Sequence, residues 1–334
     1  MSASALLGAA LKVASTAVLV LVLVDIVFYA RFPKSSRLAD SFSAGYLNRE
    51  MASLRSRPII VLGDSVLWGY GIEPEQTALA YLARESGSWR NLSFAGGSPA
   101  NSYAMLRLLT MHGVHPVAIV FNVNLKEFNA ADSAYQKLYP AVECLSWNTL
   151  APGERARLTV VNRQTIDARV NRGVESVWQL YGMRSEVRDA LFGEVDAAHA
   201  LQDAVERASG TAARRAVAHP PAPEKFEGTY DLSPLDDSNV EVFFLNRLAR
   251  ALRAQGIPGY AILTPTNHRL LHEYIDVPEY AAQLGYLKRT LLARHMHVLD
   301  YDRAFAPDEF IDNDHLTVAG NAHLATLLER DVTP

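Results

Sequence analysis

Short apolar runs alternate with helical patterns along most of the sequence. Five segments have the length of strands, and the first is a run of β-branched and aliphatic residues that is typical of a buried strand. The five predicted strands cover residues 58–62, 90–94, 117–121, 260–264 and 297–300. Because strands and helices alternate, the pattern predicts an α/β fold with a parallel sheet of about five strands.

Helical spacing of apolar residues fills the gaps between the predicted strands. We predict helices over residues 76–85, 100–111, 238–255, 278–294 and 318–329. Residues 130–236 break this regular order. They contain helical patterns over 165–208, followed by a loose stretch over 209–223 that is rich in alanine and proline. We interpret 130–236 as a helical insertion, either a cap beside the site or a surface for a partner.

The N-terminal region carries a long apolar run, residues 13–30, between Lys12 and Arg31. As a helix it would measure roughly 27 Å, about the hydrocarbon thickness of a bilayer. A cleaved signal peptide is the alternative, but the run does not end in the small-x-small pattern of a cleavage site. We therefore predict one transmembrane helix within an anchor of residues 1–31, and then a polar tether over 32–57.

Two features of the predicted anchor leave alternatives open. Asp25 lies inside the apolar run, where a charge indicates either a function or a position close enough to the end to reach the headgroups. Basic residues are more numerous after the run than before it, and the positive-inside rule then places the rest of the chain in the cytoplasm.

Composition excludes several classes of function. The 334 residues include 32 basic and 36 acidic side chains, a net charge of −4, which gives no electrostatic footprint for nucleic acid. Cys144 is the single cysteine, so the sequence has no internal disulfide and no multi-cysteine metal site. We predict no metal and no cofactor.

Candidate catalytic residues stand at the two ends of the region 58–330. Gly63 breaks the first predicted strand, and Ser65 follows at its carboxyl end, where α/β sheets collect catalytic groups. The alternative is that Ser65 merely caps the next helix. Near the C-terminus Asp312 precedes His315 by three residues, so its carboxylate can hold the imidazole as the third member of a triad does. Asp314 is a rival for this role, but its adjacency to His315 should point the two side chains apart.

These motifs resemble the SGNH (GDSL) esterases and acyltransferases. Gly63-Asp64-Ser65 and Asp312-x-x-His315 match the first and last signature blocks of that superfamily. The resemblance implies an SGNH-type three-layer sandwich over residues 58–330, with Ser65 as nucleophile, His315 as base and Asp312 as the carboxylate that orients it.

Two weaker blocks of the same resemblance imply an oxyanion hole. Gly96 matches the glycine of the second block, and its backbone N–H would join that of Ser65. Asn124 takes the asparagine position of the third block, but Asn122 replaces the glycine and Leu125 the aspartate of that block. The implied donors are thus Ser65, Gly96 and the Asn124 amide.

Other polar residues near the predicted strand ends are candidate substrate contacts. We assign Asp64, Asn122, Asn267 and His268 to this group. Lys126, Glu127 and Asn129 follow Asn124 on the same active-face loop and could shape the substrate site, but we favour a solvated loop for each of them.

The resemblance implies acyl transfer through a covalent serine ester. An anchor, one catalytic domain and a helical insertion look like the envelope O-acyltransferases, such as those of alginate-like polysaccharides and teichoic acids. This branch implies an acyl-ester donor, a glycan acceptor, a membrane-bound acyltransferase as partner, and a catalytic domain outside the cytoplasmic membrane. Hydrolysis of small or lipid esters is the first alternative, and a non-catalytic anchored scaffold that binds an acyltransferase or a glycan is the second.

Overall fold

The computed structural model describes residues 58–159 and 223–333 without a gap. Before them it describes residues 12–13, 15–16, 18–24, 36–39 and 42–54. The helical patterns predicted over 165–208, and all but the last residue of the loose stretch after them, lie outside the described residues.

A five-stranded parallel sheet forms the centre of the chain, as predicted. Its strands are β1 (Ile59–Leu62), β2 (Trp89–Asn91), β3 (Ala118–Val123), β4 (Gly259–Leu263) and β5 (His297–Asp300). They lie in the order β2-β1-β3-β4-β5, and every neighbouring pair is parallel. The chain leaves β1 toward β2 on one side and then returns to β3 on the other. Ligands of open α/β sheets bind outside the carboxyl ends of the strands at such a reversal.

Besides the helical residues of the N-terminal run, ten α-helices with defined bounds lie in the part of the chain that the structure describes. They are α1 (Ala44–Ser53), α2 (Ser65–Trp68), α3 (Ala78–Ser86), α4 (Pro99–Met111), α5 (Pro140–Ser146), α6 (Pro152–Arg155), α7 (Val240–Ala254), α8 (His268–Ile275), α9 (Pro278–Ala293) and α10 (Val318–Asp331). Several begin at a side-chain cap: Thr77, Ser98 and Thr317 each accept a hydrogen bond from the N–H three residues on.

The sheet separates two hydrophobic cores. Alternate strand residues face opposite sides, so Ile60 and Leu62 contribute to one core while Ile59 and Val61 contribute to the other. Helices α1, α4, α7 and α9 cover the first core, and α3 and α10 cover the second. The described chain is therefore an α/β/α sandwich of three layers.

The predicted polar tether differs from the structure. Within 32–57, helix α1 begins at the cap Ser43 and packs into the first core, where Leu47 and Met51 are completely buried. These two residues are four positions apart and so share one helix face. The sequence did not predict this helix because its short apolar stripe stands among serines and arginines.

The described residues do not support the predicted transmembrane helix. Across the residues that the structure describes, no helix joins enough length with enough apolar character to cross a membrane. Residues 18–24 are helical, while 25–30, with Asp25, lie outside the described residues.

Candidate active site

Ser65 stands at the turn between β1 and α2. Asp64, not Ser65, is the N-cap residue of α2, because its carboxylate accepts the N–H of Val66 at 2.8 Å. The alternative that Ser65 only caps a helix is therefore wrong. As the first residue of α2, Ser65 has its hydroxyl free for contacts at the carboxyl end of the sheet.

A neighbouring side chain fixes the shape of this turn. The Asn122 amide oxygen accepts the N–H of Asp64 at 3.0 Å, and its Nδ2 donates to Thr264 Oγ1 at 3.2 Å. Gly63 has φ +144°, and a Cβ there would lie 1.9 Å from the Asn122 Oδ1 atom. The position thus requires glycine, since any side chain would displace Asn122.

The turn that contains Ser65 meets the C-terminal loop. His315 Nε2 lies 2.8 Å from Ser65 Oγ, and His315 Nδ1 lies 2.8 and 2.9 Å from the two carboxyl oxygens of Asp312. An ionised carboxylate only accepts, so Nδ1 carries the proton and Nε2 is left to accept the hydroxyl proton of Ser65. This is the arrangement of nucleophile, base and orienting carboxylate, and the catalytic roles of the three residues stay predictions.

Charge and burial shift the pKa values of both members of the Asp312–His315 pair. Burial acts to raise the pKa of Asp312, but its hydrogen bonds with His315 and the imidazole charge outweigh burial and lower it. For His315, burial lowers the pKa, whereas the Asp312 hydrogen bond and the Asp314 charge raise it above its ordinary value. The site thus stabilises the imidazolium that forms when the base takes a proton.

Two backbone N–H groups near Ser65 are available to an oxyanion. Within the described residues, the N–H groups of Ser65 and Gly96 have no hydrogen-bond partner. Gly96 is exposed with φ +81°, and nothing lies within 4 Å of where its Cβ would be. The next residue, Gly97, packs so closely on Gly63 that a Cβ would lie 1.9 Å from the Gly63 oxygen. Their assignment to an oxyanion hole stays a prediction.

Asn124 is placed differently from the prediction. Its amide nitrogen donates to Asp314 Oδ2 at 2.7 Å and to Asp64 Oδ2 at 3.0 Å. Because a side-chain amide has two N–H bonds, neither is left for an oxyanion in this arrangement. The predicted role requires Asn124 to give up one of these two carboxylates.

Lys126 belongs to the site, although the sequence favoured a solvated position for it. Its side chain is only 11% exposed, and its ammonium pairs with Asp314, which is fully buried. Burial lowers the pKa of Lys126, but the charges of Asp314 and Asp64 raise it well above its ordinary value, so it stays a cation. The solvated loop predicted for Lys126, Glu127 and Asn129 is wrong, because Glu127 and Asn129 are also buried.

The Lys126–Asp314 ion pair also distinguishes the two carboxylates that could orient His315. Asp314 Oδ1 lies 3.6 Å from His315 Nδ1, whereas its Oδ2 atom contacts Lys126 and Asn124. Asp312 instead makes close contacts with the imidazole and also accepts the backbone N–H groups of Asp314 and His315. The geometry favours Asp312 as the orienting group.

The four candidate substrate contacts are used within the protein. Asp64 and Asn122 are 2% and 3% exposed and form the turn around Ser65 described above, so their polar atoms do not face a substrate. Asn267 caps α8 through the N–H of Leu270, and its Nδ2 donates to the carbonyl of Asp312 at 3.0 Å. It positions the C-terminal loop.

His268 is held between two carboxylates. Its Nδ1 lies 3.0 Å from Asp276 and its Nε2 lies 2.9 Å from Asp302. Burial lowers the pKa of His268, but these hydrogen bonds outweigh it and raise the pKa above its ordinary value. With both ring nitrogens engaged, His268 has no atom left for substrate.

Tyr70 is a residue that the sequence analysis missed. Its ring centroid lies 4.6 Å from that of His315, and half of its side chain is exposed. An exposed aromatic ring thus lies directly beside the predicted base. No local motif around residue 70 indicates this contact.

One group in the described part of the chain brings metal-type donors together, namely Asp312, Asp314 and His315. Their ligand atoms lie within 4.8 Å of one another. The Lys126 ammonium, however, already occupies Asp314 Oδ2, and Asp312 holds the Nδ1 proton of His315. A cation would have to displace both, so the donor set suits a proton-transfer site better than a metal.

Exchanging each aspartate for asparagine should separate their roles. We expect Asp312→Asn to lower kcat by about 10³–10⁴-fold, because the neutral amide no longer fixes the tautomer or stabilises the imidazolium. We expect Asp314→Asn to reduce the free energy of unfolding by about 3–5 kcal/mol, because it leaves Lys126 buried without a counter-ion. Ester turnover and urea unfolding of both variants measure this, and the reverse distribution of effects would contradict the assignment.

Replacing Lys126 should change the titration of His315. Lys126 lowers the pKa of His315, so Lys126→Met is expected to raise it and move the acid limb of the pH profile of kcat/KM to higher pH. Lys126→Arg keeps the charge and is the matched control. NMR titration of the imidazole and the pH profile give the two readouts, and a fall in stability with neither midpoint moved would reduce Lys126 to a packing role.

Comparison with known proteins gives only distant likenesses. No protein-family model and no curated protein matches the sequence. A protein from Desulfitobacterium hafniense, described as lipolytic and of the G-D-S-L family, aligns at TM-score 0.40 and 10% identity over 83% of this chain and 100% of that one. A protein from Bacteroides fragilis, described as an acylhydrolase, aligns at TM-score 0.42 and 10% identity over 85% of this chain and 92% of that one. An acetylxylan esterase from Geobacillus stearothermophilus aligns at TM-score 0.40 and 10% identity over 83% of this chain and 94% of that one. Scores of this size carry no argument about the chemistry of the present chain.

Proposed function

We propose that this protein is a serine-dependent acyltransferase of SGNH type that acts on acyl esters of a cell-envelope or exported polysaccharide. One observation carries the proposal: the Ser65 hydroxyl lies 2.8 Å from His315 Nε2, while Asp312 holds the opposite nitrogen of the same ring. A hydroxyl that is hydrogen-bonded to a base, and a carboxylate that orients this base, are the minimum for covalent acyl transfer.

The first half-reaction forms the acyl-enzyme. Ser65 Oγ attacks the ester carbonyl while its proton passes to His315 Nε2, and the negative oxygen that develops accepts the N–H groups of Ser65 and Gly96. A donor of this kind contributes roughly 3–4 kcal/mol to transition-state stabilisation. When the C–O bond breaks, the imidazolium returns its proton to the leaving alkoxide, and the acyl group remains on Ser65.

The second half-reaction decides between transfer and hydrolysis. An acceptor hydroxyl gives its proton to His315 Nε2 and attacks the Ser65 ester, and the released Oγ takes the proton back. A sugar hydroxyl makes the reaction an acyl transfer, and water makes it a hydrolysis. The envelope glycan is favoured by the sequence organisation, with an apolar N-terminal run and an insertion over 130–236.

The fate of the acyl group tests this proposal. Full-length protein is supplied with an acetyl ester donor and a panel of polysaccharides, and both free acetate and acetylated glycan are measured. We expect acetylated glycan from wild type and a loss of at least about 10³-fold in Ser65→Ala, since the nucleophile is gone. Free acetate alone would establish the esterase alternative, and no turnover by folded protein would establish the scaffold.

Membrane attachment belongs to the same proposal. Residues 18–24 are helical and every one of them is exposed by 44% or more, so their apolar side chains face outward all round. We place residues 13–30 in the cytoplasmic membrane, with the catalytic part outside the cytoplasm. The full chain should then remain in membranes after alkaline carbonate extraction, and a chain that lacks residues 1–31 should not. Release of the full chain would contradict the anchor.

A further inference from the structure

A cavity lies beside the polypeptide that follows β3. It has a volume of about 220 Å³ and adjoins the short 3-10 turn Leu125–Phe128 that follows Asn124. None of the described residues that line it is Ser65, Asp312 or His315. Four lining residues are acidic, and no lysine or arginine is among the described lining residues. The acidic members are Glu127, Asp231, Asp236 and Glu241.

Glu127 is the unusual member of this group. It is 1% exposed, and neither of its carboxyl oxygens has a hydrogen-bond partner within the described chain. Glu241, also buried, accepts the Ala100 N–H at 2.8 Å and the Ser98 hydroxyl at 3.2 Å. A buried polar group without a partner costs about 1–3 kcal/mol, so the position of Glu127 calls for a donor that the protein itself does not supply.

The remaining lining residues indicate the shape of that donor. The lining includes exposed residues, among them Ser233 and Asp236, as well as the buried Glu127. Apolar residues also contribute to the lining, namely Phe128, Pro234, Leu235 and Val240. An alkyl chain packs against such side chains, while a charged end group reaches the acid.

A bare metal ion fits less well than an organic cation. Within the described residues, the carboxylates of this cavity do not form a cluster whose oxygens lie within 4.8 Å of one another. Calcium takes six to eight oxygen ligands at about 2.3–2.6 Å, which needs a tighter cluster. An ammonium group carries three N–H donors and needs a single close carboxylate.

We propose that this cavity binds a primary alkylammonium group, with the ammonium donating to the buried carboxylate of Glu127 and the alkyl chain lying along Phe128, Leu235 and Val240. The ligand class is a short primary amine, free or as the end of a larger molecule. The inference does not depend on the proposed acyl transfer, because it concerns binding alone.

Binding should be linked to a proton. Burial raises the pKa of Glu127 well above its ordinary value, and the charges of Asp64 and Glu241 add to this, while the charge of Lys126 and the nearby backbone N–H of Asn124 act to lower it. Among the described residues, Tyr135 also interacts electrostatically with Glu127. A bound cation favours the ionised carboxylate, so Glu127 releases a proton on binding and affinity rises with pH. An alkylammonium, like lysine, keeps its own charge up to about pH 10.

Calorimetry with n-butylammonium chloride tests the proposal on the full chain in a neutral detergent. Titrations at pH 7 in two buffers of different ionisation enthalpy measure affinity and proton release together, and n-butanol serves as the uncharged probe with the same chain. We expect wild type to bind n-butylammonium with release of a proton, more tightly at pH 8 than at pH 6, and to bind n-butanol at least tenfold more weakly.

Two variants locate the binding. Glu127→Gln keeps the shape without the charge and should lose at least tenfold in affinity together with the proton release, whereas Glu85→Gln, exposed on α3 and away from the cavity, should bind as wild type does. If circular dichroism shows that Glu127→Gln is unfolded, Asp236→Asn at the exposed rim takes its place and should lose several-fold. Three results would each overturn the proposal. They are binding of n-butanol as tight as that of n-butylammonium, unchanged affinity in Glu127→Gln (or in Asp236→Asn where it takes its place), and no binding to wild type.

Discussion

The hydrogen bond between Ser65 Oγ and His315 Nε2 is the interaction on which the rest of the account depends. The two residues are 250 positions apart, and parallel strands bring them together because all the strands end at the same edge of the sheet. The turn after β1 fixes the hydroxyl, and Asn267 ties down the loop that carries the imidazole. The contact therefore depends on the whole sheet rather than on either motif alone.

Behind that contact lies a buried polar network. Lys126 pairs with Asp314, and the Asn124 amide bridges Asp314 and Asp64. Taking charges out of water is expensive unless each is paired and hydrogen-bonded, and this network meets that condition for Lys126 and Asp314 Oδ2. Asp64, at the turn that carries the nucleophile, and Asp314, in the loop that carries the base, are thus held by the same polar network. Glu127, the next residue after Lys126, is buried with no hydrogen-bond partner for its carboxyl oxygens among the residues that the structure describes.

The strands and most of the helices could be predicted because apolar runs and helical spacing are local signals. The run over 297–300 corresponds to β5 residue for residue, and helix α10 begins at the predicted Val318. Helix α1 was missed because its two core residues stand among serines and arginines that are typical of a linker.

The catalytic candidates could be predicted from motifs, whereas the partners of buried polar residues could not. Lys126 and Asp314 are 188 positions apart in sequence, and nothing near either residue announces the pair. For the same reason the sequence could not reveal that Asn124 is engaged by two carboxylates or that both nitrogens of His268 are occupied. Local pattern predicts elements, and only the assembled sheet decides which side chains meet.

The most direct test of the central claim is covalent labelling of the folded protein with an alkyl fluorophosphonate, followed by peptide mapping. The account predicts one phosphonyl group, on Ser65, with a labelling rate that rises with pH as His315 loses its proton. Folded protein that takes up no label, or takes it up on another residue, would show that Ser65 is not an activated nucleophile and would contradict the account.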